Sequence, residues 1–117
     1  MIKEIGNKEY EFNVKLGVTI EIKKKFNKSF NQVLNEMDKM DVTDLIKLLY
    51  CGVNKEIPYS DFEQDVLDNI GLMELYELVQ SFIKKIQYPG LTEEEIDKKL
   101  EEKNLEYQAK KETLLKK

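Results

Sequence analysis

Hydrophobic and polar positions alternate at the start of the chain, where Tyr10, Phe12 and Val14 are separated by Glu11 and Asn13 and followed by Lys15. A period of two is the signature of a strand with one buried face. Ile2 to Ile5 forms a weaker strand before it, and Gly6-Asn7 between the two suits a two-residue turn that needs positive φ. The prediction is a short N-terminal hairpin. Two strands alone are marginal in water, so their apolar face must pack on helices or on strands of another copy.

From Val18 the period lengthens. Val18, Ile20 and Ile22 alternate, but Val18, Ile22 and Phe26 recur every four residues, and the charged stretch Glu21 to Lys25 favours helix, with Thr19 as a cap. Asn27 or Ser29 breaks this run. Phe30, Val33, Leu34, Met37 and Met40 then fall on one helical face. Asp41 is placed to cap the next helix, with Met40 and Leu45 as a hydrophobic staple across the cap. In that helix Val42, Leu45, Ile46, Leu48, Leu49, Tyr50 and Val53 surround the lone charge of Lys47, so it should be central. Gly52 and Pro58 bracket a loop, and Ser60 with Glu63 reads as a capping box opening a helix that carries Phe62, Val66, Leu67 and Ile70. Past Gly71 a single stripe holds Leu72, Leu75, Tyr76, Val79, Phe82, Ile83 and Ile86, until Pro89-Gly90 ends it.

After residue 90 the composition changes to Glu and Lys with few apolar residues. Thr92 and Glu95 form a capping box, Leu91 and Ile96 a staple, and Ile96, Leu100, Tyr107 and Leu114 keep an approximate heptad that Lys103 and Lys110 interrupt. This segment reads as a charged helix whose narrow stripe touches the domain first and a partner further along. The expected fold is therefore α+β and predominantly α-helical: an N-terminal β-hairpin and a bundle of about five helices over residues 1–90, then a charged C-terminal helix or tail over 91–117.

Composition narrows the chemistry. With 117 residues the chain has the size of one domain, and 41% hydrophobic against 36% charged residues gives a real core inside a charged shell. No apolar run approaches the ~20 residues of a membrane span, and Met1-Ile2-Lys3-Glu4 lacks the apolar stretch of a signal peptide, so no membrane association and a cytoplasmic location are expected. Histidine is absent and Cys51 is the lone cysteine, which removes histidine-activated nucleophiles, internal disulfides and cysteine-rich metal sites from consideration. Cys51, among Leu48, Leu49, Tyr50 and Val53, reads as a small core residue. All 19 basic residues are lysine and the net charge is −4, which disfavours nucleic acid as a partner. Lys23, Lys24, Lys25 and Lys28 are the densest basic group and read as a solvated helix face.

Carboxylates are the remaining catalytic material. Asp61, Glu63, Asp65 and Asp68 lie on the polar side of a predicted helix, where nothing raises a carboxyl pKa as general acid–base work requires. The residues Asp65 to Gly71 lack calcium-loop spacing, and the 5 glycines are isolated, so no phosphate-cradling loop can form. No catalytic residue, cofactor or metal is expected. What is left is apolar material off the main helical stripes, namely Leu48, Met73 and Leu78, together with Ile96, Leu100, Tyr107 and Leu114 of the charged segment; these are the candidate partner-binding residues. A homo-oligomer is compatible with the hairpin edge, which either pairs with another copy or is covered by the chain itself.

The N-terminal pattern Ile5-Gly6-Asn7-Lys8-Glu9-Tyr10-Glu11-Phe12, followed by Thr19-Ile20-Glu21-Ile22-Lys23-Lys24 opening a helix, resembles the start of the small tail assembly chaperones of long-tailed phages and prophages. The resemblance continues as architecture through the helices between about Ser29 and Gln87 and does not extend over the charged segment from Leu91. It implies a non-enzymatic protein of the host bacterial cytoplasm that binds the long, largely helical tape-measure protein and assists polymerisation of the tail tube. It also implies self-association. A small acidic helical regulator, of anti-repressor or antitoxin type, fits the same composition and is the competing reading.

Overall fold

In the computed structural model, which describes residues 1–102, the initial alternation becomes an antiparallel hairpin of β1 (Ile2–Ile5) and β2 (Lys8–Glu11). Of the two turn residues only Gly6 has positive φ, 66°, which is the type II′ pattern. A side chain there would also come within 2.8 Å of the Asn69 amide. Ile5, Tyr10 and Phe12 point into the core, while Glu4, Glu9 and Glu11 face solvent. The ladder gains one more rung where Phe12 and Met1 exchange hydrogen bonds of 2.6 and 3.1 Å.

Helix α1 (Val18–Phe26) buries Val18 and Ile22 and exposes Ile20, so the four-residue spacing prevails over the alternation. Thr19 does not cap it. The helix starts at Gly17, and the Thr19 hydroxyl donates backwards to the Leu16 carbonyl at 2.7 Å from inside the first turn. Asn27 ends α1 in the left-handed region, φ 54°. Ser29 then opens α2 (Phe30–Glu36) with a full capping box shared with Gln32. The face predicted to run from Phe30 to Met40 does so only as α2 plus a 3-10 turn (Met37–Lys39). Met40 must be extended, ψ 139°, because Asp41 behind it starts the next helix.

That helix, α3 (Val42–Tyr50), is the centre of the fold. Asp41 accepts the Asp44 N–H at 2.8 Å, and Leu45, Ile46, Leu48 and Leu49 are all essentially sealed from water. α4 (Tyr59–Asn69) starts differently from expectation: Pro58 occupies the cap, no side chain completes it, and the Ser60–Glu63 box does not form. Proline presets the φ needed for entry and places Ser60 already inside the helix, while Glu63 instead accepts the Tyr59 hydroxyl at 2.8 Å. Ile70 and Gly71 are extended, and α5 (Leu72–Gln87) follows, the longest helix among the described residues.

A lattice of aromatic edges joins these parts. The Phe62 ring lies 5.2 Å from Tyr10, 6.0 Å from Phe12 and 5.9 Å from Tyr50, and Phe12 reaches Phe82 at 6.0 Å. The hairpin is thus held by α4 and α5, which supplies the support two strands need. After Pro89-Gly90, Thr92 accepts the Glu95 N–H at 3.2 Å and a further helix, α6, runs from residue 93 through 102. Ile96 is fully buried, and Ser81–Glu93 and Lys84–Asp97 (2.9 Å) tie α6 to α5. Among the described residues no helix is long and apolar enough to cross a membrane.

Candidate partner-binding surface

The apolar residues of α5 divide between two environments. Leu75, Leu78, Val79, Phe82, Ile83 and Ile86 are buried, whereas Leu72, Met73 and Tyr76 in its first turns are 53, 70 and 39% exposed. One turn of helix separates Leu72 from Tyr76, so they share a face, with Met73 beside them. This face continues into a groove of about 470 Å³ between α5 and the α2–3-10 segment. Leu34 and Met37 form one wall, Tyr76 and Gln80 the other, and Leu45 and Val79 lie at the floor. Asp38 is the charged side chain among the lining residues.

Of the residues singled out from sequence, Met73 lies on this surface. Leu48, Leu78 and Ile96 do not qualify as exposed partner contacts, because each is buried. Leu48 is enclosed because α3 packs against both α4 and α5. Leu78 faces the hollow lined by Met1 and Ile2 of the hairpin, and Ile96 is the anchor of α6. Leu100 is half-buried. Tyr107 and Leu114 lie outside the described residues. Conversely, periodicity alone places Leu72 and Tyr76 in the core stripe, and Leu34 and Met37 on a helix face whose neighbour it does not identify. A stripe of seven apolar residues on α5 is wider than one packing neighbour covers, and that excess was the available signal.

A smaller apolar site sits at the start of α1, where Leu16 and Ile20 are both exposed. The lysines that follow are mostly engaged locally: Lys24 with Glu21 at 3.9 Å, Lys25 over the Tyr59 ring at 5.7 Å, and Lys28 with Glu36 at 2.5 Å.

Of the α4 carboxylates Glu63, Asp65 and Asp68 are also engaged. Asp65 accepts the Tyr10 hydroxyl and has Lys8 at 3.5 Å, and Asp68 accepts the Gln64 amide at 2.9 Å. The Tyr10 hydrogen bond, aided by Lys8, holds Asp65 below the usual carboxylate range, the reverse of what a general acid needs. Cys51 is half-buried, its thiol donates to the Lys47 carbonyl at 3.4 Å, and burial pushes its pKa up to about 11, so the reactive thiolate is scarce near neutrality. Among the described residues no group of three or more His, Cys, Asp or Glu side chains is placed to hold a metal ion. Compared with known family models, curated proteins and solved structures, the chain matches none.

Proposed function

We propose that this protein is a non-enzymatic tail assembly chaperone of the kind used by long-tailed phages, acting in the bacterial cytoplasm on the tape-measure protein. The reading is supported by one observation above the others: the groove between α2 and α5, extended by exposed Leu72, Met73 and Tyr76. An amphipathic helix presents apolar residues at three- and four-residue spacing, and such a groove accepts them as anchors. Methionine at the rim suits a client with many similar but non-identical helical segments, because its flexible thioether adapts to different neighbours. Weak, multiple engagement of this kind would keep a long helical client from aggregating without locking it in place.

The proposal expects a tape-measure gene beside the gene for this chain, and the test is co-expression of the two proteins. The expected result is a higher soluble yield of the tape-measure protein and its co-purification with the chaperone, both lost in a Met73→Asp/Tyr76→Asp variant. Failure of both effects in the native pair rejects the assignment. Stable capture of a neighbouring repressor or toxin instead would favour the regulator.

A further inference from the structure

The second exposed feature of the fold is the outer edge of β2, which shares no lining residue with the α2–α5 groove. Because Met1 and Phe12 exchange hydrogen bonds, the register makes Lys3–Tyr10 and Ile5–Lys8 the other bonded pairs. The backbone N–H and C=O groups of Glu9, Glu11 and Asn13 therefore point away from β1. Asn13 confirms this direction: its N–H donates outwards to the Gly52 carbonyl at 2.7 Å. That bond is the first rung of a ladder which the chain does not continue, since Glu9 and Glu11 take no backbone partner on this side among the described residues. An open cleft of about 760 Å³ runs along the edge, with Val18 and Glu21 of α1 and Val53 and Lys55 of the α3–α4 loop lining it as well.

Charge gives the vacant place a sign. In the cleft Glu21 is bonded to Lys55 at 2.8 Å, which leaves Glu9 and Glu11 against Lys15. On the solvent face of the hairpin Glu4 stands directly opposite Glu9, a like-charge pair that destabilises a two-stranded sheet. None of the ion pairs among the described residues reaches Glu4, Glu9 or Glu11. The β1 edge differs in its backbone rather than its charge: it borders a smaller hollow of about 320 Å³, lined by Lys3 and Lys85 together with Glu74, Glu77 and Glu93, and no rung is started there among the described residues.

We infer that the outer edge of β2 is a strand-addition site for an extended segment of a partner protein bearing lysine or arginine at alternate positions. Its main chain would extend the ladder from the Asn13–Gly52 rung to Glu11 and Glu9, and its cations would lie over the Glu4, Glu9 and Glu11 carboxylates. The inference does not depend on the client bound in the α2–α5 groove.

The probe is a short acetylated and amidated peptide of alternating lysine and valine, titrated into the isotopically labelled full-length protein and followed by amide shifts and amide exchange. The expected result is perturbation centred on Glu9, Glu11 and Asn13, with slowed exchange of the Glu9 and Glu11 amides. N-methylation of alternate peptide residues, which removes backbone donors but no charge, should weaken binding by about tenfold or more. A glutamate–valine peptide should not bind. Absence of any perturbation at millimolar peptide overturns the inference, as does perturbation centred on the α2–α5 groove or equal binding of the N-methylated peptide. The N-methyl comparison uses the unaltered protein, so no variant has to fold for the result to be read.

Discussion

Tyr10 on β2 donates its hydroxyl hydrogen to the carboxylate of Asp65 on α4, and Lys8 lies 3.5 Å from the same carboxylate. This contact joins residues 55 positions apart and orients the hairpin over the helix. Burial, reinforced by the bond to Asp65, pushes the phenol well above its ordinary 10.0, while the same bond holds Asp65 below 3.8. The depressed Asp65 contributes stability that is present above its unfolded value and is lost as pH falls through the folded one. The raised phenol contributes stability that is complete below its unfolded value and is lost as pH rises towards the folded one. Denaturation midpoints of the native protein and of Tyr10→Phe should therefore differ most between about pH 4 and about pH 10 and converge on either side. A difference independent of pH would show that the pair is not coupled.

Gly52 offers a test of packing. A Cβ there would lie 2.6 and 2.9 Å from the Phe82 ring and 3.0 Å from the Asn13 carbonyl. Phe82 is fully buried and held by Phe12, so it cannot swing aside. Gly52→Ala should cost about 1–3 kcal/mol, read from urea unfolding, and should perturb the Asn13 amide whose partner is Gly52. By contrast Gly71→Ala, where a Cβ meets nothing within 4 Å, should change stability little.

Removing the Phe62 ring tests how the hairpin is attached. It is fully buried and touches aromatic rings from β2, from the segment after it and from α3. Phe62→Ala should cost about 3–5 kcal/mol, a large part of the ~5–15 kcal/mol available to a domain of this size. If the hairpin folded independently of α4, its amides would keep their exchange protection in this variant, and the expected result is that they lose it together with α4.

Much of this architecture was legible in local signals. The hairpin turn follows from Gly6, the end of α1 from Asn27, the caps of α3 and α6 from Asp41 and Thr92, and the central place of α3 from its apolar surround. Each is a short-range feature whose energy is decided within one turn of chain. The errors lie where a stronger neighbour overrides such a signal: Pro58 displaced the Ser60–Glu63 box, and the cap at Asp41 cut short the helix through Met37 and Met40. The binding surface was the least legible. Periodicity identifies the apolar face of a helix but not how many neighbours cover it, so Leu48 and Leu78 looked spare and are core, while Leu72 and Tyr76 looked core and are exposed. The groove itself is built by Leu34 and Met37 against Tyr76 and Gln80, segments that only the tertiary fold brings together.

That division yields the most direct test of the surface. Met73 is 70% exposed, so Met73→Asp should cost no more than about 0.5 kcal/mol, whereas Tyr76, 39% exposed and a wall of the groove, should cost about 1 kcal/mol as Tyr76→Asp and leave the doubly substituted protein folded. Leu48→Asp and Leu78→Asp each place a carboxylate among buried side chains and should unfold most of the protein, through desolvation of the charge and loss of the leucine contacts. Partner capture must then be compared only between proteins that remain folded. If the groove is the docking site, the Met73/Tyr76 variant loses the client while still folded, and substitution of exposed Leu67 on α4 by Asp, which is not among the groove-lining residues, leaves capture intact. Equal capture by the native protein and the Met73/Tyr76 variant would move the docking site elsewhere, and the exposed Leu16 and Ile20 at the start of α1 are then the next apolar surface to substitute.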